Sequence, residues 1–195
     1  ARCSNGKMIE AVFRRNSASN LGLKFGLELT ATKLCDLSRL IVTAKDVTAC
    51  LKLVPNMAQW QNTPFYPFVT HQKGIVSIGV TFPYGKTLSQ HQRRFYVESL
   101  FVYIKTFCQD FFEQPYTLLS ISLDYDAPPY VQEYQPIFDC NMSFNCPLSV
   151  IRFKVDNPHN SLITSNTLLH NVYLKRAKEY AKKNNGVKHT HFHIT

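Results

Sequence analysis

The sequence predicts an α+β domain: a helical amino-terminal block, then a mainly antiparallel sheet with a long core helix and a carboxy-terminal helix. Three observations predict this class. Up to about residue 62 apolar residues recur at helical spacing, as Leu21, Phe25 and Leu29 do. Beyond it "GIVSIGVTFP" alternates with the period of a strand. The strongest helical pattern of the chain then lies between strands, so that helices and strands surround one core.

The elements follow in order. "KMIEAVFRR", Lys7 to Arg15, reads as a short amphipathic helix. In "NLGLKFGLEL" the helical spacing persists although Gly22 and Gly26 each cost about 1 kcal/mol of propensity, which marks close approach of another element. They form no phosphate loop, because no strand precedes them and no GK[ST] follows. Leu34 to Val42 predicts a further helix, and Asp46 to Trp60 another, capped by Thr43 with Asp46 three residues on and kinked or ended at Pro55. Two strands meet at a Gln72-Lys73-Gly74 turn, with Val76, Ile78, Val80 and Phe82 on one face. Thr87 to Phe112 carries the apolar stripe Val97, Leu100, Phe101, Ile104, Phe107, Cys108 and Phe111, which is core and not a cofactor box. Leu118 to Tyr125 is a strand with Leu119, Ile121, Leu123 and Tyr125 on one side. Pro128 and Pro129 halt it, since proline cannot continue a ladder. A short helix over Val131 to Phe138, strands at Met142 to Phe144 and Ser149 to Val155, and a helix from Ser161 to Asn185 complete the chain.

Composition narrows the class. The 195 residues suit one domain, residues 1–185, with a disordered tail over 186–195. Hydrophobic residues make up 45%, enough for a core. No apolar run approaches the roughly 20 residues that span a bilayer, so no membrane partner is expected. No basic stretch followed by an apolar run opens the chain, so no secretory signal is expected either. Six cysteines lie without a CxxC pair; they read as buried, reduced thiols, which suits the cytoplasm. Residues 1–105 hold 14 Lys and Arg against 5 acids, residues 106–151 none against 6, and residues 152–195 8 against 2. The basic surplus points to an anionic partner such as nucleic acid, or to ordinary solubility charge.

No GxSxG, HExxH, Walker or GxGxxG pattern is present, so neither an enzyme nor a cofactor is expected. Asp124 and Asp126 flank Tyr125 on the outer face of a strand, where the pair could bind a cation weakly or hold a basic ligand group; a solvated acidic edge is the reading favoured. His189, His191 and His193 alternate in the tail and could offer imidazoles to a transition metal, although a disordered end explains them as well and no metal is assigned. Lys175, Arg176, Lys178, Lys182, Lys183 and Lys188 could touch phosphates, the basis of an alternative reading as a stand-alone basic nucleic-acid-binding protein. For a ligand pocket the useful groups are polar ones on an apolar wall: His71, Tyr84, Lys86, Arg93, Arg94, Tyr125 and Tyr130. That basic and aromatic set suits a small anionic or amphipathic effector.

Several segments together resemble a known family. "LGLKFG" at Leu21 to Gly26, an imperfect Ala-Leu pair within Ala49 to Leu53, and Pro128-Pro129, Tyr134, Ile137-Phe138, Phe144 and Ile151-Phe153 follow one another in the order of the amino-terminal effector domain of AraC-type transcription regulators, the arabinose-binding-like variety. The resemblance covers about residues 18–172, with Thr43 standing where the family opens the helix near Ala49. It implies a sensor that binds a small-molecule effector, forms a homodimer and controls DNA binding through a separate helix-turn-helix domain outside this chain. On that view the chain is either a sensor fragment of a longer regulator or a protein without its own DNA reader. The dimer surface is expected on the last helix, at Leu162, Leu169, Val172 and Tyr173 with Leu168 and Leu174.

Overall fold

In the hairpin after residue 62, β1 (Tyr66–Gln72) and β2 (Ile75–Thr81) pair antiparallel through a two-residue turn. Lys73 and Gly74 both take positive φ, 50° and 76°, as a tight primed hairpin turn requires. Val76, Ile78 and Val80 are buried, the inward face that the alternation predicts. The computed structural model describes residues 20–29, 36–56, 63–82, 88–113 and 116–184. The helix expected at Lys7 to Arg15, Tyr84, Lys86 and the histidine tail lie outside them.

Five strands of the described residues form one sheet in the order β1-β2-β5-β3-β4, with β3 Tyr116–Ser122, β4 Asn141–Ser143 and β5 Ser149–Val155. All neighbours are antiparallel except β3 and β4, which are parallel. A parallel pair needs a crossover, and the chain from Leu123 to Cys140 supplies it. The strand stops before the prolines, a 3-10 turn spans Val131–Glu133, and a short helix follows over Tyr134–Phe138 with Tyr134 and Phe138 buried beneath it.

Four helices precede or face that sheet: α1 (Leu21–Glu28), α2 (Asp36–Val42), α3 (Val47–Leu53) and the 22-residue α4 (Gln90–Phe111). The short crossover helix is α5, and α6 (Thr167–Asn184) closes the described chain. α4 begins at a capping box, Ser89 Oγ accepting from the Gln92 N–H while the Gln92 side chain accepts from the Ser89 N–H. Its buried stripe includes Val97, Leu100, Phe101, Val102, Phe107 and Cys108. α1 lies against α4 at its two glycines: a Cβ on Gly26 would come within 2.6 Å of Val102 Cβ, and one on Gly22 would collide with Glu98. Among the described residues no helix is long and apolar enough to cross a membrane.

Some local expectations give way to longer-range contacts. Asp46, not Thr43, caps α3: its backbone is extended, φ −152°, and its Oδ1 accepts from the Ala49 N–H at 2.7 Å. The Thr43 hydroxyl instead donates back to the Arg39 and Leu40 carbonyls, at 2.8 and 3.1 Å, at the end of α2. α3 is shorter than expected and passes at Val54–Asn56 into a 3-10 turn containing Pro55, which has no N–H to continue the ladder. A bulge between Leu118 and Ser120 breaks the phase of β3, so that Leu118 pairs with Phe153 and Ile121 with Ile151. Leu119 therefore does not share the face of Ile121. The last helix starts at Thr167, after the Asn166 side chain that accepts from the Leu169 N–H at 3.0 Å. Ser161 and Leu162 precede it as isolated bridges to Asp46 and Phe112.

Candidate functional site

Position 98 is an acid in the middle of an apolar helical stripe, and the fold buries it: Glu98 is 2% exposed. The crossover beyond β3 lays its tyrosines over this carboxyl. Tyr130 and Tyr134 donate to Glu98 Oε1, at 2.9 and 2.5 Å. The hydroxyls of Tyr125 and Tyr134 lie 3.3 Å apart, within a hydrogen bond. Tyr130 and Tyr134 stack with their rings 7° from parallel. From α1 the Leu23 N–H donates to the same carboxyl, so an acid of α4 satisfies a first-turn amide of α1. The side chain of Asn20, at the start of α1, is engaged elsewhere, donating to Glu133.

Arginines sit on the outer side of this cluster. Arg94, one turn before Glu98, brings Nε to 3.8 Å from Oε1 and its guanidinium over the Tyr130 ring at 5.4 Å. Arg93 pairs with Asp124 at 2.7 Å and lies over the Phe82 ring at 5.1 Å. Asp124 also accepts from the Ser149 hydroxyl at 2.5 Å. It is therefore not the solvated edge that its sequence neighbourhood predicts: its partners come from α4 and β5, and its side chain is only 13% exposed. Asp126 is exposed.

Burial raises the Glu98 carboxyl above its usual value, while the Tyr134 and Tyr130 hydroxyls, Arg94 and the Leu23 amide pull the other way. Burial likewise pushes the Tyr125, Tyr130 and Tyr134 phenols up, and the nearby Glu98 adds to the shift. The arrangement joins α1, α4 and the crossover through hydrogen bonds to one buried group. It pairs no nucleophile with a base. Among the described residues no group of three or more His, Cys, Asp or Glu is placed to hold a metal ion.

A second feature lies further along α4. An apolar cavity of about 40 Å³ is lined by Ile41 of α2, Cys50 and Leu51 of α3, Ile78 of β2, and Leu100, Tyr103 and Cys108 of α4, among others, and the surface exposed to it is apolar. Burial pushes the Cys50 thiol up to about 12 and Cys108 well above the ordinary thiol value. Cys140 and Cys146 are half-buried free thiols. An open groove of about 670 Å³ runs along β3 and β4, lined in part by Leu118, Leu119, Asp139 and Met142.

The fold thus gathers Arg93, Arg94, Tyr125 and Tyr130 into one cluster. His71 stands apart, exposed on β1. Glu98, which the cluster surrounds, escaped the sequence reading; its signal was an acid inside an apolar stripe, one turn after an arginine. Of the expected dimer residues, Leu162 is 2% exposed and belongs to the core, so it cannot form part of a surface. Leu169 and Val172 are exposed on α6, and Tyr173 is half-buried.

The arabinose-binding domain at the amino terminus of AraC transcription regulators matches residues 6–157, and the chain belongs to that family. Among solved structures it is similar to the transcriptional regulator CdpR from Pseudomonas aeruginosa, with a TM-score of 0.72 over 95% of this chain and 60% of that one. The identity is 15%, so this likeness speaks for the fold alone, and the chain spans about three-fifths of that regulator's length. A search of curated proteins returned no match. The family is one of regulator domains and not a class of enzymes.

Proposed function

We propose that the chain is the ligand-sensing and dimerisation domain of an AraC-family transcriptional regulator, in which a small-molecule effector modulates DNA binding by an attached helix-turn-helix domain. The observation that carries this reading is the family match across residues 6–157. Regulation requires the effector to bind two states of the domain unequally. The Glu98 cluster supplies a joint between α1, α4 and the crossover that two such states can arrange differently. Self-association is supported by α6, where Leu168 is 76% exposed and Leu169, Val172 and Tyr180 also face outward. A cytoplasmic location follows from the same reading.

The test is a thermal-shift screen of the isolated chain against metabolites and lipids, with light scattering on every hit. A ligand at 100 times its dissociation constant adds about 2.7 kcal/mol, or about 5–10 °C in Tm for a chain of this size. A hit that also alters oligomeric state supports the reading. If the melting curve answers only to duplex DNA, in a salt-sensitive manner, the chain is a nucleic-acid-binding protein and the sensing reading falls.

A further inference from the structure

We propose that the cavity between α2, α3 and α4 is the subsite for an alkyl or aryl group, the apolar end of the effector. The assignment of the group to an effector rests on the sensing reading above; the assignment of the cavity to an apolar occupant does not.

Three observations carry it. The cavity measures about 40 Å³, several times the roughly 10–15 Å³ that one water needs by this measure. A buried water also needs two to four polar partners; the lining side chains carry only the Tyr103 hydroxyl and the Cys50 and Cys108 thiols and expose no polar surface, so water is a poor occupant. Two of the charged groups expected to hold an anionic effector are already engaged: Arg93 by Asp124, and Arg94 by Glu98 and the Tyr130 ring. What the described core leaves unsatisfied here is apolar surface. The raised thiols of Cys50 and Cys108 report the same dry surroundings.

The cavity also has a route to α6. Ile41 of α2 forms part of its wall. The next residue back, Leu40, accepts from His170 Nδ1 of α6 at 3.1 Å, and Arg176 of α6 lies 3.8 Å from Asp36 of α2. An occupant that displaces Ile41 therefore acts on the element against which α6 packs.

The test starts with xenon, which needs no knowledge of the effector. Methyl NMR of the isolated chain under increasing xenon pressure should give saturable shifts at Ile41, Leu51, Val54, Ile78, Leu100 and Ile104, and none at Leu168 on the exposed face of α6. Ile41→Phe, which fills the space, should abolish them; Cys50→Leu serves as the milder filler should the first variant not fold. Absence of saturable shifts, or their persistence in a folded filled variant, overturns the assignment. Once the screen yields an effector, an analogue truncated at its apolar end should lose affinity for the parent chain but not for the filled variant. An effector that binds the filled variant as tightly as the parent also overturns the subsite while the sensing reading stands. Failure of the screen with intact xenon binding tells against sensing alone.

Discussion

Replacing Glu98 by alanine tests whether one buried carboxyl joins three elements. The substitution leaves the Tyr130 hydroxyl and the Leu23 amide, both inside the protein, without their acceptor. Each such group costs about 1–3 kcal/mol. Tyr134 loses its 2.5 Å bond but keeps the Tyr125 hydroxyl at 3.3 Å, so it adds little. The expected loss is about 4 kcal/mol, a large part of the roughly 5–15 kcal/mol that a domain has. With a urea slope of about 2 kcal/mol/M the denaturation midpoint should fall by about 2 M. Tyr130→Phe, which removes one donor while the carboxyl keeps the others, should cost about 1 kcal/mol. Glu98→Gln retains an acceptor and should fall between the two. A loss from Glu98→Ala below about 0.5 kcal/mol, the range of ordinary surface changes, would refute the hub.

The same variants carry a pH signature. Burial lifts the folded carboxyl above its usual 4.5, so the folded state holds the proton more tightly than the unfolded chain does. Its contribution is then full in acid, below the unfolded value, and is lost as pH rises through the raised folded value. Glutamine does not titrate. The stability advantage of the parent over Glu98→Gln should therefore shrink as pH rises from below 4.5 to neutrality, measured by urea denaturation at either end. An advantage that grows with pH would mean that the surrounding donors outweigh burial and keep the carboxyl ionised.

Three further outcomes are expected. Gly22→Ala should destabilise by about 1–3 kcal/mol in thermal or urea melts, despite about 1 kcal/mol of gained helix propensity, because the added methyl meets Glu98 and lies 3.0 Å from the Phe95 carbonyl oxygen. Leu162→Ala should cost about 2–5 kcal/mol, whereas Leu168→Glu with Val172→Glu should leave the isolated fold within about 0.5 kcal/mol of the parent and abolish self-association in sedimentation. Under native conditions at neutral pH, Cys50 and Cys108 should resist a thiol reagent until the chain unfolds, while the half-buried Cys140 and Cys146 react before them; mass mapping of the labelled sites reads this order.

Much of this architecture is legible in the sequence, because its signals are local. The Lys73-Gly74 turn, the inward face of β2, the stripe of α4 and the stop at Pro128-Pro129 depend on backbone preferences and on periods of two or 3.6 residues. The pair Gly22 and Gly26 announces a close neighbour, although not which one. Tertiary structure alone decided the rest. Glu98 meets Tyr130 and Tyr134 across 32 and 36 residues, and Arg93 meets Asp124 across 31, and neither charge nor spacing names a partner at such distances. Leu162 is expected on the dimer surface of the last helix, but it precedes that helix and bridges to Phe112 in the core. Leu119 leaves the phase of its strand because a bulge inserts one residue opposite β5. A side chain's local pattern sets which face it takes only while the element is regular. Whether that face meets water, a cavity or a buried acid depends on the elements packed against it, and those contacts come from remote parts of the chain.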